Sequence, residues 1–263
     1  MSAPPDVADA SDPWHGLRKL TAARIALGHA GVSLPTTPQL AFQLAHAQAR
    51  DAVHVALDVD ALRAQMALPA LHVHSMAADR PTYLRRPDLG RRLDDDCRRR
   101  LAAHGGDYDL CVVLADGLSA PAIARHAAPF LALLLPALAP LNVAPLVLAT
   151  QARVALGDAI GEALGAQLVV VLIGERPGLS AFDSMGIYLT WAPRVGLTDE
   201  RRNCISNVRP EGLDYPQAVA ALLYLITGAR RLGATGVVLK DERDAADVAT
   251  TVTAGSSTGH RVR

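Results

Sequence analysis

A continuous apolar run followed by a charged loop constrains the fold of this chain more than any other feature. Residues 167–173 (QLVVVLI) show no regular alternation of apolar and polar side chains, which is typical of a strand buried on both faces of a sheet. The loop at 174–178 (GERPG) then places Glu175 and Arg176 directly after that strand. Because ligands of open parallel α/β sheets bind at the carboxyl ends of the strands, the pattern predicts a binding loop here.

Apolar strands and helices alternate through the second half of the chain. The pattern predicts strands over 109–115, 143–149, 168–173, 186–191 and 237–239. It predicts helices over 120–138, 157–164 and 215–232, the last two ended by Gly165 and Gly233. Such alternation is typical of an α/β protein with a doubly wound, mostly parallel (Rossmann-like) sheet.

The first part of the chain is predicted to be an N-terminal helical region. Apolar spacing predicts helices over 14–30, 37–57 and 87–104. In the third of these, the acidic run 94–96 and the basic run 98–100 are expected to form i,i+4 pairs on a solvated face. We therefore divide the chain into a disordered tail (1–13), a helical region (14–104), an α/β domain (105–241) and a polar C-terminal tail (242–263).

Charge and composition exclude several classes of partner. The 26 basic and 26 acidic residues cancel and no basic stripe stands out, so nucleic acid and anionic membranes are not expected partners. Half of the residues are hydrophobic and only 20% are charged, so we expect another subunit to cover part of the apolar surface. The apolar run 130–141 contains two prolines and is too short to span a bilayer, which predicts a buried helix.

Cysteine usage and the first residues indicate a cytosolic protein. The three cysteines, Cys97, Cys111 and Cys204, form no CxxC pair, as expected of a protein kept reduced. Residues 1–16 have neither a basic n-region nor an apolar h-region, so no secretory signal is predicted.

Common catalytic signatures are absent from the sequence. No GxGxxG follows a strand, and there is no GxxxxGK[ST] phosphate loop. Residues 117–121 (GLSAP) fail the GxSxG pattern of a hydrolase nucleophile, and the nine histidines form no HExxH zinc motif. We therefore expect neither catalytic residues nor metal ligands in this chain.

Three polar segments carry a resemblance to a known family. They are 153–162 (RVALGDAIGE), 174–178 (GERPG) and 201–207 (RRNCISN). Together they resemble the small subunit of ethanolamine ammonia-lyase, an adenosylcobalamin enzyme. The resemblance covers roughly residues 14–240 and is strongest from Asp116 onward.

The resemblance implies that Val154, Glu175 and Cys204 contact adenosylcobalamin. A carboxylate such as that of Glu175 accepts a strong hydrogen bond from an amide on the corrin rim. The chain has no Asp-x-His-x-x-Gly motif, so the cofactor is expected to keep its own benzimidazole on cobalt (base-on). The residues alone leave other interpretations open: a core valine, a Glu175 ion pair with Arg176 or Arg194, and a packed cysteine that is not a nucleophile.

The resemblance also implies a partner and a reaction. In the family, a TIM-barrel large subunit holds the substrate, ethanolamine is converted to acetaldehyde and ammonia, and six large and six small subunits form a hetero-dodecamer. The chain is then expected to act in ethanolamine catabolism in the bacterial cytoplasm, or in a bacterial microcompartment, although only about a dozen residues precede Trp14. The alternative is a free-standing, doubly wound nucleotide-binding enzyme that uses Asp116, Glu175 and Arg176.

Two further features stay open at this level. Asp116 and Ser119 follow a strand where a helix starts, so either could bind a polar group of a ligand, and Ser119 could instead cap the helix. The turn 85–92 (RRPDLGRR) carries four arginines and could contact the cofactor, the large subunit or a neighbouring subunit.

Overall fold

The protein folds around one mixed sheet. The structure is a computed structural model that describes residues 14–21, 23–66 and 68–243. Six strands follow the spatial order β1-β3-β2-β4-β5-β6. In chain order these strands are β1 (Ala70–His74), β2 (Tyr108–Ala115), β3 (Leu146–Thr150), β4 (Ala166–Gly174), β5 (Met185–Trp191) and β6 (Arg202–Val208).

Four of the six strands are parallel. β3 pairs with β1 and with β2, and β2 pairs with β4, all in parallel register. β5 runs antiparallel to β4, and β6 runs antiparallel to β5. The predicted α/β class is therefore confirmed. The parallel prediction holds for β1 to β4, while β5 and β6 make the sheet mixed.

Helices cover both faces of this sheet. In chain order they are α1 (His15–Arg18), α2 (Thr36–His54), α3 (Val59–Ala64), α4 (Arg80–Arg85), α5 (Asp95–Ala102), α6 (Ala120–Ala137), α7 (Leu156–Leu164) and α8 (Tyr215–Leu232). Side chains from α6 and α8 form one apolar core with alternate residues of the strands, and α5 and α7 form a second core with the remaining residues. Because both faces of β2 and β4 are buried, these strands have no polar face. This is why their sequences lack alternation.

Several helix ends agree with the sequence prediction. Ser119 caps the start of α6, where its side chain accepts a hydrogen bond from the N–H of Ala122. Gly165 and Gly233 end α7 and α8 in the left-handed conformation that glycine adopts without strain. Among the described helices, α6 is long and apolar enough to cross a membrane by length and composition, but its Phe130 and Leu134 are fully buried in the core.

The N-terminal third departs from the predicted helices. Of the helix predicted over 14–30, the described residues form only α1, and Ala26 and Gly28 adopt positive φ angles that interrupt a helix. The second predicted helix is confirmed as α2, with Pro38 in its first turn. β1 lies in the part of the chain where only helices were predicted, and it is a short strand at one edge of the sheet.

The third predicted helix begins later than expected. A 3-10 turn, Leu89–Arg91, precedes α5, and Asp94 caps α5 by accepting hydrogen bonds from two backbone N–H groups. The Asp94 carboxylate is therefore engaged by the backbone, and the predicted pair with Arg98 is wrong. The ion pairs on this helix centre on Asp96 and join it to Arg99 and Arg100.

The predicted strand at 237–239 is wrong, and an unpredicted strand lies beside it. Gly236–Val238 is a 3-10 turn, whereas the polar segment at 202–208 forms the edge strand β6. The side-chain amide of Asn203 donates hydrogen bonds to the carbonyl groups of Gly236 and Leu239. Side-chain bonds thus cover the open edge of β6 where a further strand was predicted. The tails predicted at 1–13 and 242–263 lie outside the described residues, apart from 242 and 243.

Candidate functional site

A cleft lies at the carboxyl ends of the parallel strands. β3 and β4 flank β2 on opposite sides, which makes the end of β2 the point where ligands bind in open α/β sheets. The cleft has a volume of about 380 Å³. Its walls are formed by Tyr83, Gly117, Leu118, Arg153, Val154, Ile173, Gly174, Glu175, Arg176 and Tyr188. Two of the three predicted cofactor residues, Val154 and Glu175, therefore face the same space.

The third predicted residue lies next to the cleft. Cys204 of β6 is the register partner of Tyr188 on β5, and Tyr188 lines the cleft. Cys204 is exposed, and its sulfur lies 3.2 Å from the hydroxyl oxygen of Ser206. Burial raises the pKa of Tyr188, and the hydrogen bond between its side chain and Cys204 raises it further, so this phenol stays neutral. The structure thus brings residues about 50 positions apart to one surface.

Glu175 connects the loop after β4 to the edge strand β6. Both of its carboxylate oxygens accept from the backbone N–H of Asn207, each at 3.2 Å. The ion pairs seen among the described residues include none between Glu175 and Arg176 or Arg194, two partners that the sequence left open. Since one N–H satisfies only part of what a carboxylate accepts, Glu175 keeps lone pairs for a ligand in the cleft.

Asp116 holds the loop that carries Val154. One of its oxygens accepts from the N–H of Gln151 at 2.9 Å, and the other accepts from the N–H of Ala152 at 3.0 Å. The guanidinium of Arg80 also reaches this carboxylate, at 3.3 Å, and both side chains are buried. Asp116 is therefore engaged on all sides by the protein, which disfavours it as a ligand contact and makes it a positioning residue for the loop.

Tyr83 forms a wall that sequence analysis missed. The guanidinium groups of Arg80 and Arg153 lie over its ring at 4.7 and 4.3 Å from the centroid, and its hydroxyl donates to the carbonyl oxygen of Ala152. Gly90 packs against the side chains of Tyr83 and Arg153, and a Cβ at this position would lie 3.0 Å from each of them. The arginine-rich turn at 85–92 therefore borders the cleft at Gly90. The sequence signal for this contact is the single glycine among the four arginines of RRPDLGRR.

At the floor of the cleft, the backbone that follows β2 lies in close contact with the end of β4. The N–H of Leu118 donates to the carbonyl of Gly174 at 2.9 Å, and Gly117 has a φ of +56°. A Cβ on Gly174 would collide with the backbone carbonyl oxygen of Ser119. Glycine is needed at both positions because backbone meets backbone there.

Three buried polar atoms close to the cleft have no hydrogen-bond partner within the described chain. They belong to the side chains of Arg80, Gln151 and Arg153. Unsatisfied buried polar groups are rare in folded proteins, and they indicate a missing water, ion or ligand. The residues lining this cleft include aromatic, apolar and hydrogen-bonding groups but no nucleophile paired with a base. Fold and site together define an α/β protein with a cleft at the carboxyl ends of its parallel strands.

Comparison with known proteins identifies the family. Residues 11–240 match the family described as "Ethanolamine ammonia-lyase light chain (EutC)". The chain is 57% identical to the ethanolamine ammonia-lyase small subunit of Azotobacter vinelandii, over 95% of this chain and 94% of that protein. It is 57% identical to the small subunit of Ralstonia nicotianae, over 88% of each chain, and 58% identical to that of Pseudomonas aeruginosa, over 90% of each. The chain belongs to the ethanolamine ammonia-lyase light chain family and is thus a subunit of a lyase.

Proposed function

We propose that this chain is the small subunit of an adenosylcobalamin-dependent ethanolamine ammonia-lyase and helps to hold the cofactor at the interface with a catalytic large subunit. The assembly converts ethanolamine to acetaldehyde and ammonia in ethanolamine catabolism. The observation that carries the proposal is the convergence of Val154, Glu175 and the Tyr188–Cys204 pair at one cleft, at the switch point of the parallel part of the sheet.

The residues of the cleft suit a corrinoid. A corrin is a broad apolar disc with amides on its rim, so it needs apolar contacts together with hydrogen-bond donors and acceptors. Val154, Ile173 and Leu118 supply the apolar contacts, while the Glu175 carboxylate accepts and the Arg153 guanidinium donates. As the family resemblance implies, we propose that the cofactor binds with its own benzimidazole on cobalt.

The cleft is too small to enclose such a cofactor. Its volume of about 380 Å³ is near the lower end of the roughly 300–1,000 Å³ typical of small-molecule pockets. A corrinoid seated here would project from this chain, so a second protein surface must cover the remainder. When bound, the cofactor supplies the radical chemistry, and this chain binds it, orients its rim amides and excludes water on one side.

Exposed apolar side chains on α2 support a large protein partner. This helix buries only Ala45 and Ala52, while Leu40 and Leu44 are 58% and 60% exposed and Phe42 is also exposed. Leu40 and Leu44 are one helical turn apart and share a face, and exposed apolar surface of this kind marks interfaces between proteins. We propose that the large subunit is the partner, in a hetero-dodecamer of six large and six small subunits. The proposed location is the bacterial cytoplasm, with packaging in a microcompartment as the alternative that cell fractionation would distinguish.

Substitution of Glu175 tests the cofactor contact. We expect Glu175→Ala in the co-purified complex to weaken adenosylcobalamin binding by about ten- to a hundredfold, because a hydrogen bond to a charged group contributes about 1.5–3 kcal/mol. Glu175→Gln should weaken it less, since the amide oxygen still accepts. Saturating cofactor should restore much of the turnover, because the reacting groups lie on the large subunit.

The competing interpretation is that Glu175 only anchors β6 through the N–H of Asn207. It predicts a lower Tm of the cofactor-free complex with unchanged cobalamin affinity. Glu162→Ala is the matched control, since this carboxylate also accepts a backbone N–H, from Val195, but does not line the cleft. Equal cobalamin affinity of the Glu175→Ala and wild-type complexes rules out the assigned contact.

The alternative of a free-standing nucleotide-binding enzyme is not favoured. It relied on Asp116 as a ligand contact, and that carboxylate is fully engaged by Arg80 and by the backbone of the 151–152 loop. A chain purified without any partner that turned over a nucleotide substrate would support this alternative.

A further inference from the structure

A second group of ligand-type side chains lies outside the cleft. We propose that His74, Asp94 and Cys97 form a binding site for a zinc ion. One nitrogen of the imidazole, one carboxylate oxygen and the sulfur all lie within 4.8 Å of one another. Zinc takes imidazole, carboxylate and thiolate ligands at about 2.0–2.3 Å in tetrahedral geometry. Displacements of the three ligand atoms by about 1 Å would bring them to these distances from a common zinc ion. None of these residues lines the cofactor cleft.

Backbone contacts hold the three residues together. The N–H of Asp94 donates to the carbonyl of His74 at 3.3 Å, and the N–H of Met76 donates to the carbonyl of Arg92 at 2.9 Å. An isolated bridge between Ser75 and Leu93 lies between these two bonds. The end of β1 is therefore tied to the start of α5, and the donor atoms come from two connected elements.

A backbone carbonyl orients the imidazole of His74. Its Nδ1 lies 2.9 Å from the carbonyl oxygen of Ser75, so Nδ1–H donates there and Nε2 is the ring nitrogen that a metal would use. Metal-binding histidines are usually held by such a bond from the other ring nitrogen to a backbone carbonyl. The bond thus orients the His74 ring and selects its tautomer without a metal.

The aspartate and the cysteine supply the negative charge. One oxygen of Asp94 accepts from the N–H groups of Asp96 and Cys97, and its second oxygen takes part in neither bond. Cys97 is completely buried, and a guanidinium nitrogen of Arg100 lies 3.1 Å from its sulfur. A thiolate and a carboxylate balance the charge of Zn²⁺. The ion pair of Arg100 with Asp96 offsets the charge of the guanidinium.

Three protein ligands leave the fourth position of zinc for water. We assign the site a structural role, in which the metal links the end of β1 to the start of α5. Because it depends on residues outside the cleft, its existence does not rest on the proposed cofactor role.

Zinc titration of the untagged, cobalamin-free complex tests the site. We expect one more Zn²⁺ per small subunit in the wild-type complex than in the Cys97→Ser complex, by mass spectrometry and by competition with a chelator. Loss of an outer partner of a metal ligand alone weakens metal affinity by about 10- to 100-fold, so loss of the direct ligand Cys97 should exceed about 100-fold. Replacing Zn²⁺ by Co²⁺ should produce a thiolate-to-cobalt absorption band that Cys97→Ser removes.

Two matched controls separate the site from weak surface binding. Asp95→Asn changes a carboxylate beside Asp94 at the start of α5, and His104→Gln changes a histidine just after the end of α5; both should leave affinity and stoichiometry unchanged. If Cys97→Ser does not fold, His74→Gln at the exposed position replaces it as the test. Equal zinc stoichiometry in wild-type and ligand variants, or bound Co²⁺ without the thiolate band, overturns the proposal.

Discussion

At the scale of single residues, one buried ion pair connects two segments that carry predicted cofactor contacts. The guanidinium of Arg202 on β6 donates to both oxygens of Asp158 on α7, at 2.6 and 2.8 Å, and both side chains are 2% exposed. Arg202 also donates to the carbonyl of Leu197. Since Val154 precedes α7 and Cys204 lies on β6, this pair sets the distance between two walls of the site.

Breaking this pair should destabilise the protein strongly. We expect Arg202→Ala to lower the free energy of unfolding by about 3–5 kcal/mol, because the carboxylate of Asp158 is left buried without its partner. Replacing both residues by leucine should recover much of that loss. Urea unfolding of the complex measures both, with Arg201→Ala as the control, since this neighbour is exposed and should change stability by less than about 0.5 kcal/mol. Similar losses for Arg201→Ala and Arg202→Ala would contradict the interpretation.

A buried histidine makes stability depend on pH. The Nδ1 of His126 lies 2.8 Å from the hydroxyl oxygen of Tyr215. Its Nε2 has no hydrogen-bond partner among the described residues, but it lies 3.8 Å from a carboxylate oxygen of Asp183, and Arg125 is also nearby. Burial lowers the pKa of His126, and the attraction of Asp183 offsets this only in part. The unfolded chain therefore takes up a proton first as the pH falls. Stability should be complete above the unfolded pKa of about 6.5 and should be lost below it, toward the lower folded pKa.

The measurement for this histidine is Tm against pH. We expect the Tm of the wild-type complex to fall as the pH drops below about 6.5, and the slope should be smaller in His126→Gln. His104→Gln removes an exposed histidine and serves as the control. A steep acid slope that persists unchanged in His126→Gln would show that other groups cause it.

At the scale of elements, the start of α6 depends on Ser119. Its hydroxyl accepts from the N–H of Ala122 and donates to the carbonyl of Phe182 at 2.9 Å, and the side chain is fully buried. The same residue therefore caps the helix and secures the loop between β4 and β5. This accounts for the capping role and leaves no free hydroxyl for a ligand.

Removing this hydroxyl should affect both elements. We expect Ser119→Ala to lower the free energy of unfolding by about 1–3 kcal/mol, because the helix loses its cap and the carbonyl of Phe182 loses its donor. Asp58→Ala is the matched control. It removes the cap of α3, but the Asp58 side chain is exposed, so we expect a smaller loss in the free energy of unfolding. The dual role is refuted when both substitutions lower stability equally in urea unfolding.

At the scale of the whole molecule, the chain should depend on its partner for activity. The described cleft contains no nucleophile–base pair, and a corrinoid would extend beyond its walls. We expect the isolated chain, supplied with adenosylcobalamin and ethanolamine, to release no acetaldehyde, and to be poorly soluble because of the exposed apolar residues on α2. The reconstituted complex with the large subunit is the positive control. Measurable acetaldehyde from the isolated chain would contradict the proposal that activity requires the large subunit.

Local sequence patterns determined the elements that are buried on both sides or capped by their own neighbours. β2 and β4 were predictable because a strand between two helical layers needs apolar side chains on both faces. The caps Ser119 and Gly165 were predictable because a helix end is satisfied within a few residues of the chain. Family resemblance, confirmed by comparison, identified Glu175 and Cys204 as candidates without locating them in space.

Only the tertiary structure decided which distant residues meet. β6 is an edge strand with polar side chains at 202, 203, 206 and 207. Its place depends on the contacts of Arg202 with Asp158 and of Asn203 with Gly236. Likewise, Asp116 became a positioning residue because Arg80 lies beside it. These contacts join residues that lie tens of positions apart, so no local pattern encodes them. They form only in the complete fold, because the free energy that favours them comes from burying and pairing these groups when the sheet and its helices assemble.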